Sequence, residues 1–429
     1  MSDGLRAVCH GGDIYSAPVK YDFSVNTNPL GMPARVAEAL RRQVYTGERY
    51  PEITYRALRE DMVRALGGRL AADNILCGNG ASELLMGIFY ALSQRARREN
   101  KALRLLLPVP SFAGYERAAR AADAEILFFR LREEDDFCLT EEFLSFLQTS
   151  EGTKTDVLLL AQPNNPTGRL VAPGLLSKIA GICGEKGIFL IIDECFLPLA
   201  EDGSLSGYRA GLFDELFADA FSLSGKERAS RNRVLLLRAL TKTYALPGLR
   251  LGYLLGTDEA LLRSVRDALP EWNVSAYAEC AGREICAMLA EEETGEAGED
   301  APEYSRENAK GENGTPAALS YQEKALALLR TERAYLSKRL RDMGFHTYPS
   351  EANFLLFKSA LPLKEALLRD GMLLRDCADF AGLSAGYWRI AVRTREENDA
   401  LLGVLREAGK AHEPLASLAA WSVSLNEKR

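Results

Sequence analysis

Arg238-Ala239-Leu240-Thr241-Lys242-Thr243-Tyr244-Ala245-Leu246-Pro247-Gly248-Leu249-Arg250-Leu251-Gly252-Tyr253 is the stretch around which the chain is organised. It follows an apolar run, 234–237, that predicts a buried parallel strand. Lys242 then stands just past a strand end, where open α/β sheets place their ligands. Thr241 and Thr243 flank it with two hydroxyls, and Arg250 opens a second apolar segment, 249–255. A lysine amine can form a Schiff base with an aldehyde. An arginine can hold a phosphate with two parallel hydrogen bonds. Taken alone, the same residues also suit a loop that exposes two cations, so three further segments decide the reading.

The first is Gly78-Asn79-Gly80-Ala81-Ser82-Glu83, between a short strand at 74–77 and a helix that continues to Leu92. Small residues there let backbone N–H groups at a helix N-terminus approach an anion. The third glycine of a dinucleotide fingerprint is missing, so a generic phosphate seat fits better. The second is the strand 156–161, which delivers Gln162-Pro163-Asn164-Asn165-Pro166-Thr167-Gly168. Two prolines and a glycine stiffen this turn and present Asn165. The third is the apolar strand 188–192, ending in Asp193-Glu194. Carboxylates placed there are costly unless partnered. Asp193 suits a protonated pyridine nitrogen, whereas Glu194 reads as a structural hydrogen-bonding group. Phe112 follows the strand 103–107, where its ring either packs in the core or lies on a planar cofactor. Pyridoxal phosphate carries the aldehyde, the phosphate and the pyridine nitrogen that these residues would meet.

The bulk properties narrow the alternatives. The chain has 429 residues, room for two or more domains. Its 53 basic and 60 acidic residues leave a net charge of −7, which argues against a nucleic-acid partner. No apolar run approaches the ~20 residues that span a bilayer, and the N-terminus lacks a signal-peptide pattern, so a cytoplasmic location is expected. Eight cysteines form no C-x-x-C pair and three histidines are scattered, so no metal site is expected.

Strands alternating with helices from about 74 to 256 predict an α/β fold with a mostly parallel, doubly wound sheet. A smaller C-terminal α+β domain follows, with strands at 353–357 and 387–392. The expected division is an N-terminal arm and first helix at 1–48, joined to the small domain, and a large domain at 49–290. A flexible acidic insertion at 291–318 and the small domain at 319–429 complete it. The segment 219–233 is polar and interrupts the alternation.

Together, Gly80-Ala81-Ser82, Asn164 to Gly168, Asp193-Glu194, and Lys242 with Arg250 resemble the pyridoxal-phosphate enzymes of fold type I, in the order of the class I/II aminotransferase family. The resemblance implies that Lys242 is the lysine joined to the cofactor's aldehyde and that Asp193 pairs with the ring nitrogen. It implies that Asn165 bonds the ring oxygen and that Phe112 stacks on the ring. Gly80, Ala81, Ser82, Thr241 and Arg250 would hold the phosphate. Tyr50, in Arg49-Tyr50-Pro51, resembles the tyrosine that reaches the phosphate from a second subunit, which implies a homodimer with shared sites. Arg389 resembles the arginine that binds the substrate carboxylate.

Two branches of the family compete. One is the histidinol-phosphate aminotransferases. The arm, with His10-Gly11-Gly12, Asp22-Phe23-Ser24 and Asn26-Thr27-Asn28-Pro29, is more similar to the branch that decarboxylates L-threonine O-3-phosphate in cobalamin synthesis. That resemblance implies a phosphorylated amino-acid substrate, threonine or serine phosphate, met by His10, Asn26, Asn28, Asn165, Arg375 and Arg389. A non-catalytic nucleotide-binding protein is the alternative of another class. Phe196 stands where relatives often carry a tyrosine, and Ala239 where many carry a serine.

Overall fold

The computed structural model describes residues 11–68, 70–200, 233–294 and 319–409. His10, most of the polar segment 219–233, the insertion from 295 to 318 and the tail beyond 409 lie outside the described residues. The first strand, β1 (Tyr21–Asp22), belongs to the N-terminal arm. The central sheet is built from β2 (Ile75–Asn79), β3 (Arg104–Val109), β4 (Glu125–Arg130), β5 (Val157–Ala161), β6 (Phe189–Asp193), β7 (Val234–Ala239) and β8 (Leu251–Gly256). Their order is β2-β8-β7-β6-β5-β3-β4. All run parallel except β8, which is antiparallel to both β7 and β2. The expected mostly parallel α/β sheet is thus present, with one reversed strand.

The central strands are apolar along most of their length because both faces are covered, with charge confined to their ends. Alternate residues of β5 and β6 pack on opposite sides. Leu158, Leu160, Leu190 and Ile192 enter one core layer, while Val157, Leu159, Phe189 and Ile191 enter the other. Pairing of Ala161 with Asp193, and of Asp193 with Leu237, sets the carboxyl ends of β5, β6 and β7 level. Asn165, Asp193 and Lys242 therefore leave the sheet from three adjacent strand ends.

Local signals fix the helix ends. Pro173 opens the helix Pro173–Lys186 and left-handed Gly187 closes it. Ser320 and Glu323 form a capping box at the start of Tyr321–Asp342. The C-terminal strands are β9 (His346–Thr347), β10 (Phe354–Lys358), β11 (Met372–Leu373), β12 (Arg375–Asp376) and β13 (Tyr387–Ala391). Four of them form an antiparallel sheet in the order β12-β13-β10-β9, over a core containing Leu336, Leu355, Phe357 and Ile390.

The arm is woven into this second core. β1 pairs in parallel with β11, and Phe23 is fully buried beside Trp388 and Ile390. The helix Ala34–Arg42 instead packs on Ala276–Thr294, where Arg35 bonds Glu284 and Glu291. Among the described residues no helix is long and apolar enough to cross a membrane, and no group of three His, Cys, Asp or Glu is placed to hold a metal ion.

Candidate active site

Lys242 sits in the short helix Leu240–Thr243, directly after β7. Burial pushes its amine down to about 8, and the charges of Arg389 and Arg250 add to the effect. A helix this short leaves carbonyls without internal partners. Asn28 supplies them: its backbone N–H donates to the Lys242 carbonyl at 3.0 Å, and Nδ2 donates to the Thr243 carbonyl at 2.8 Å. Asn28 Oδ1 accepts from the Leu30 N–H. The Asn28 side chain thus braces the lysine's helix.

Asp193 ends β6 in a buried position, and burial raises its carboxyl above the usual range while hydrogen bonds pull the other way. Oδ1 accepts from the Cys195 N–H at 2.9 Å, and Oδ2 from the Tyr115 hydroxyl at 2.7 Å. Tyr115 was not singled out from the sequence. The available signal was its position one helical turn beyond Phe112, the N-cap of Ala113–Ala121. The two rings meet edge to face with centroids 5.4 Å apart, so Phe112 packs against the tyrosine that bonds the carboxylate. Glu194 pairs with Arg238 at 2.7 Å, in keeping with a structural role.

Asn165 Oδ1 accepts from Arg389 Nη1. Its amide N–H₂ is then the end turned to donate elsewhere. Arg389 Nη2 donates to the Ser24 carbonyl at 2.6 Å, and burial draws the guanidinium down to about 10. Arg389 Nε and both ends of the Asn26 amide are buried without a hydrogen-bond partner. Such atoms are costly unless something polar meets them. Arg375 lies on β12, opposite Arg389 on β13. Its Nη2 donates to both Asp379 oxygens at 2.8 Å, and the Phe380 ring lies 4.8 Å from the guanidinium.

The glycine turn expected to receive a phosphate lies against Arg250. Gly80 caps the helix Ala81–Arg98 with a φ of +76°, and a Cβ there would stand 2.6 Å from Arg250 Nη2. A Cβ on Gly252 would meet the Ala81 nitrogen at 2.6 Å. Reversed strand β8 thus brings Arg250 over the N-terminus of this helix, a favoured place for an anion. Thr241 is buried beside Lys242, and Ser82 is exposed. Phe196 packs edge to face on Phe354 at 5.2 Å and has no hydroxyl to offer. Tyr50 is not brought to the site within this chain. It is 80% exposed and its ring touches Trp272.

A family model described as aminotransferase class I and II matches residues 18–405. A threonine-phosphate decarboxylase of Salmonella typhimurium is 32% identical over 92% of this chain and 95% of its own length. A histidinol-phosphate aminotransferase of a Thermoanaerobacter species is 26% identical over 92% of this chain and 95% of its own. Among solved structures, the histidinol-phosphate aminotransferase of Clostridium acetobutylicum superposes with a TM-score of 0.70 at 24% identity, covering 91% of this chain and 99% of that one. The L-threonine-O-3-phosphate decarboxylase of Porphyromonas gingivalis does so with 0.67 at 20% identity, covering 90% and 98%. These two likenesses speak for the fold. With the family model spanning nearly the whole chain, this protein belongs to the class I and II aminotransferase family.

Proposed function

We propose that the chain binds pyridoxal phosphate and decarboxylates L-threonine O-3-phosphate, or its serine analogue, to the corresponding amino-alcohol phosphate: (R)-1-amino-2-propanol phosphate or ethanolamine phosphate. Fold type I members of this family depend on that cofactor. The residues present fit it: a buried amine with lowered proton affinity, a buried carboxylate, a glycine cradle under Arg250, and the partnerless buried Thr243 hydroxyl. Lys242 would hold the aldehyde, Asp193 the ring nitrogen and Asn165 the ring oxygen. Phe112 would cover one face. Gly80, Ala81, Ser82, Thr241 and Arg250 would hold the phosphate.

When bound, pyridoxal phosphate supplies an electron sink for the Cα bond perpendicular to its ring. Asp193 favours the protonated ring nitrogen that makes the sink effective. Arg389 would grip the substrate carboxylate and Arg375 its phosphate, so the two guanidiniums orient Cα. Loss of CO₂ requires a proton at Cα in its place. Lys242 Nζ, with its affinity lowered to about 8, is suited to hold and release one near neutral pH.

One observation carries the substrate class: Arg375 and Arg389 are register partners on adjacent strands, and the charge of Arg389 is felt at Lys242. A substrate with two anionic groups answers both. The 32% identity to a threonine-phosphate decarboxylase ranks that reaction ahead of the aminotransferase at 26%. A 28% identical relative named as an adenosylcobalamin biosynthesis protein supports a place in cobalamin synthesis. CO₂ and aminopropanol phosphate released from threonine phosphate support the reading. Glutamate formed from histidinol phosphate and 2-oxoglutarate, without CO₂, would replace it with transamination.

We also propose a cytoplasmic homodimer. Val44, Tyr45, Tyr50, Ile53, Met86, Tyr90 and Trp272 are all exposed, and apolar side chains in such number suit an interface. A second subunit covering them would let Tyr50 reach the neighbouring phosphate seat. Sedimentation of the holoenzyme as a monomer would overturn this.

A further inference from the structure

The turn carrying Asn165 leaves the central sheet, yet its outer end is fastened to the segment before β10. The Glu351 N–H donates to the Gly168 carbonyl at 2.9 Å. Its carboxylate accepts from Arg169 Nη1 at 2.6 Å and from the Leu170 N–H at 3.1 Å. Buried Arg333, on the helix Tyr321–Asp342, donates to the carbonyls of Glu351 and Ala352 at 3.1 and 2.8 Å. Gly168 has a φ of +75°, and a side chain on it would run into Ser350. Within the turn, Gly168 N–H bonds the Asn164 carbonyl at 2.6 Å and Asn164 N–H the Arg169 carbonyl at 2.8 Å. Pro163 and Pro166 have no N–H to contribute. From outside, the turn is held by the Glu351 contacts and by the Pro110 carbonyl, which accepts from Asn164 Nδ2 at 2.9 Å.

We infer that Glu351, through Arg169, Leu170 and Gly168, is a positioning residue that sets where Asn165 presents its amide to the reacting ring. The inference rests on the proposed cofactor reading. It goes beyond that reading by making a side chain that touches neither cofactor nor substrate a determinant of Asn165's aim. Arg389 bonds Asn165 Oδ1 directly, and Glu351 ties down the end of the same turn through Arg169. Small displacements of such a group cost rate steeply.

The test is a pH titration of the holoenzyme's visible absorbance band in Glu351→Ala, Glu351→Gln and Arg169→Gln, alongside kcat. Asn165's N–H would draw charge from the ring oxygen, so a displaced amide leaves that oxygen a stronger acceptor and moves the band's midpoint to higher pH. In Glu351→Ala the midpoint should rise and kcat fall roughly tenfold, the scale of one misplaced hydrogen bond. Glu351→Gln keeps an acceptor for the Leu170 N–H and should recover most of both. If Glu351→Ala does not fold, Arg169→Gln should show a smaller shift in the same direction. A lower melting temperature with an unmoved midpoint and kcat would overturn the inference. A wild-type protein with no band that Lys242→Ala abolishes would instead overturn the cofactor reading.

Discussion

Arg375 and Arg389 are register partners on adjacent antiparallel strands, which turns both guanidiniums to the same side of the sheet. Two like charges so placed repel each other. Each is therefore held by an oxygen-bearing partner: Arg375 by Asp379, and Arg389 by Asn165 and the Ser24 carbonyl. On the proposed reading, the two would each meet one anionic group of the substrate.

Arg375→Ala should weaken phosphorylated ligands selectively. Loss of a charge-assisted contact predicts a Kd for threonine phosphate raised on the order of 10- to 100-fold. Threonine should bind the variant as it binds the wild type. Spectral titration of the holoenzyme with both amino acids measures this, and equal loss for the two would contradict the assignment.

Capture of the cofactor by the cofactor-free protein should speed up as pH rises through about 8, because the neutral Lys242 amine is the nucleophile. Arg389→Met removes a cation and should move that midpoint upward. The stability sign follows from the same shift. Lys242 is lowered from 10.5 in the folded state, so between about 8 and 10.5 the unfolded chain binds the extra proton and stability rises with pH. Lys242→Met should flatten that rise in urea melts of the cofactor-free protein.

Asp193→Ala should abolish turnover while leaving the fold intact, as near-identical circular dichroism would show. Tyr115→Phe should act more mildly. Without the phenol donor the buried carboxyl gains proton affinity, so the acid limb of the kcat profile should move to higher pH. A fall in kcat of about tenfold is the expected size.

Glu133 predicts an acid-labile tie. It accepts from Tyr348, from Tyr387 at 2.6 Å and from Lys358 at 2.9 Å, and the tyrosine hydroxyls with Lys358 hold its carboxyl down at about 2 against an ordinary 4.5. A lowered carboxylate stabilises the fold above its unfolded value and loses that contribution as pH falls from about 4.5 towards 2. Glu133→Gln should reduce the acid-side loss in thermal melts across that window.

The large sheet was legible because β5, β6 and β7 each carry an apolar run of four or more residues, as a strand buried on both faces requires. The placement of the turn at 164–168 and of Asp193 at strand ends was legible because prolines and a carboxylate close the apolar runs. The reversal of β8 was not, since an apolar run carries no direction. β9, β11 and β12 are two residues each and leave no period to read. Glu351 was invisible for a different reason: its partner Arg169 is 182 residues away, and nothing around either marks the pairing. The bonds of Asn28 to the lysine's helix were not legible, because a polar side chain in a loop looks the same whether it meets a ligand or a carbonyl.

The arm's pairing with β11 has a consequence for how the molecule comes into being. Asn28 steadies the lysine and Ser24 steadies Arg389, yet β1 finds its own neighbour only at Met372. The earliest described residues thus wait, during synthesis, for a strand that leaves the ribosome some 350 residues after them. A nascent chain stopped before that point would contain Lys242 and Asp193 but neither Arg375 nor Arg389.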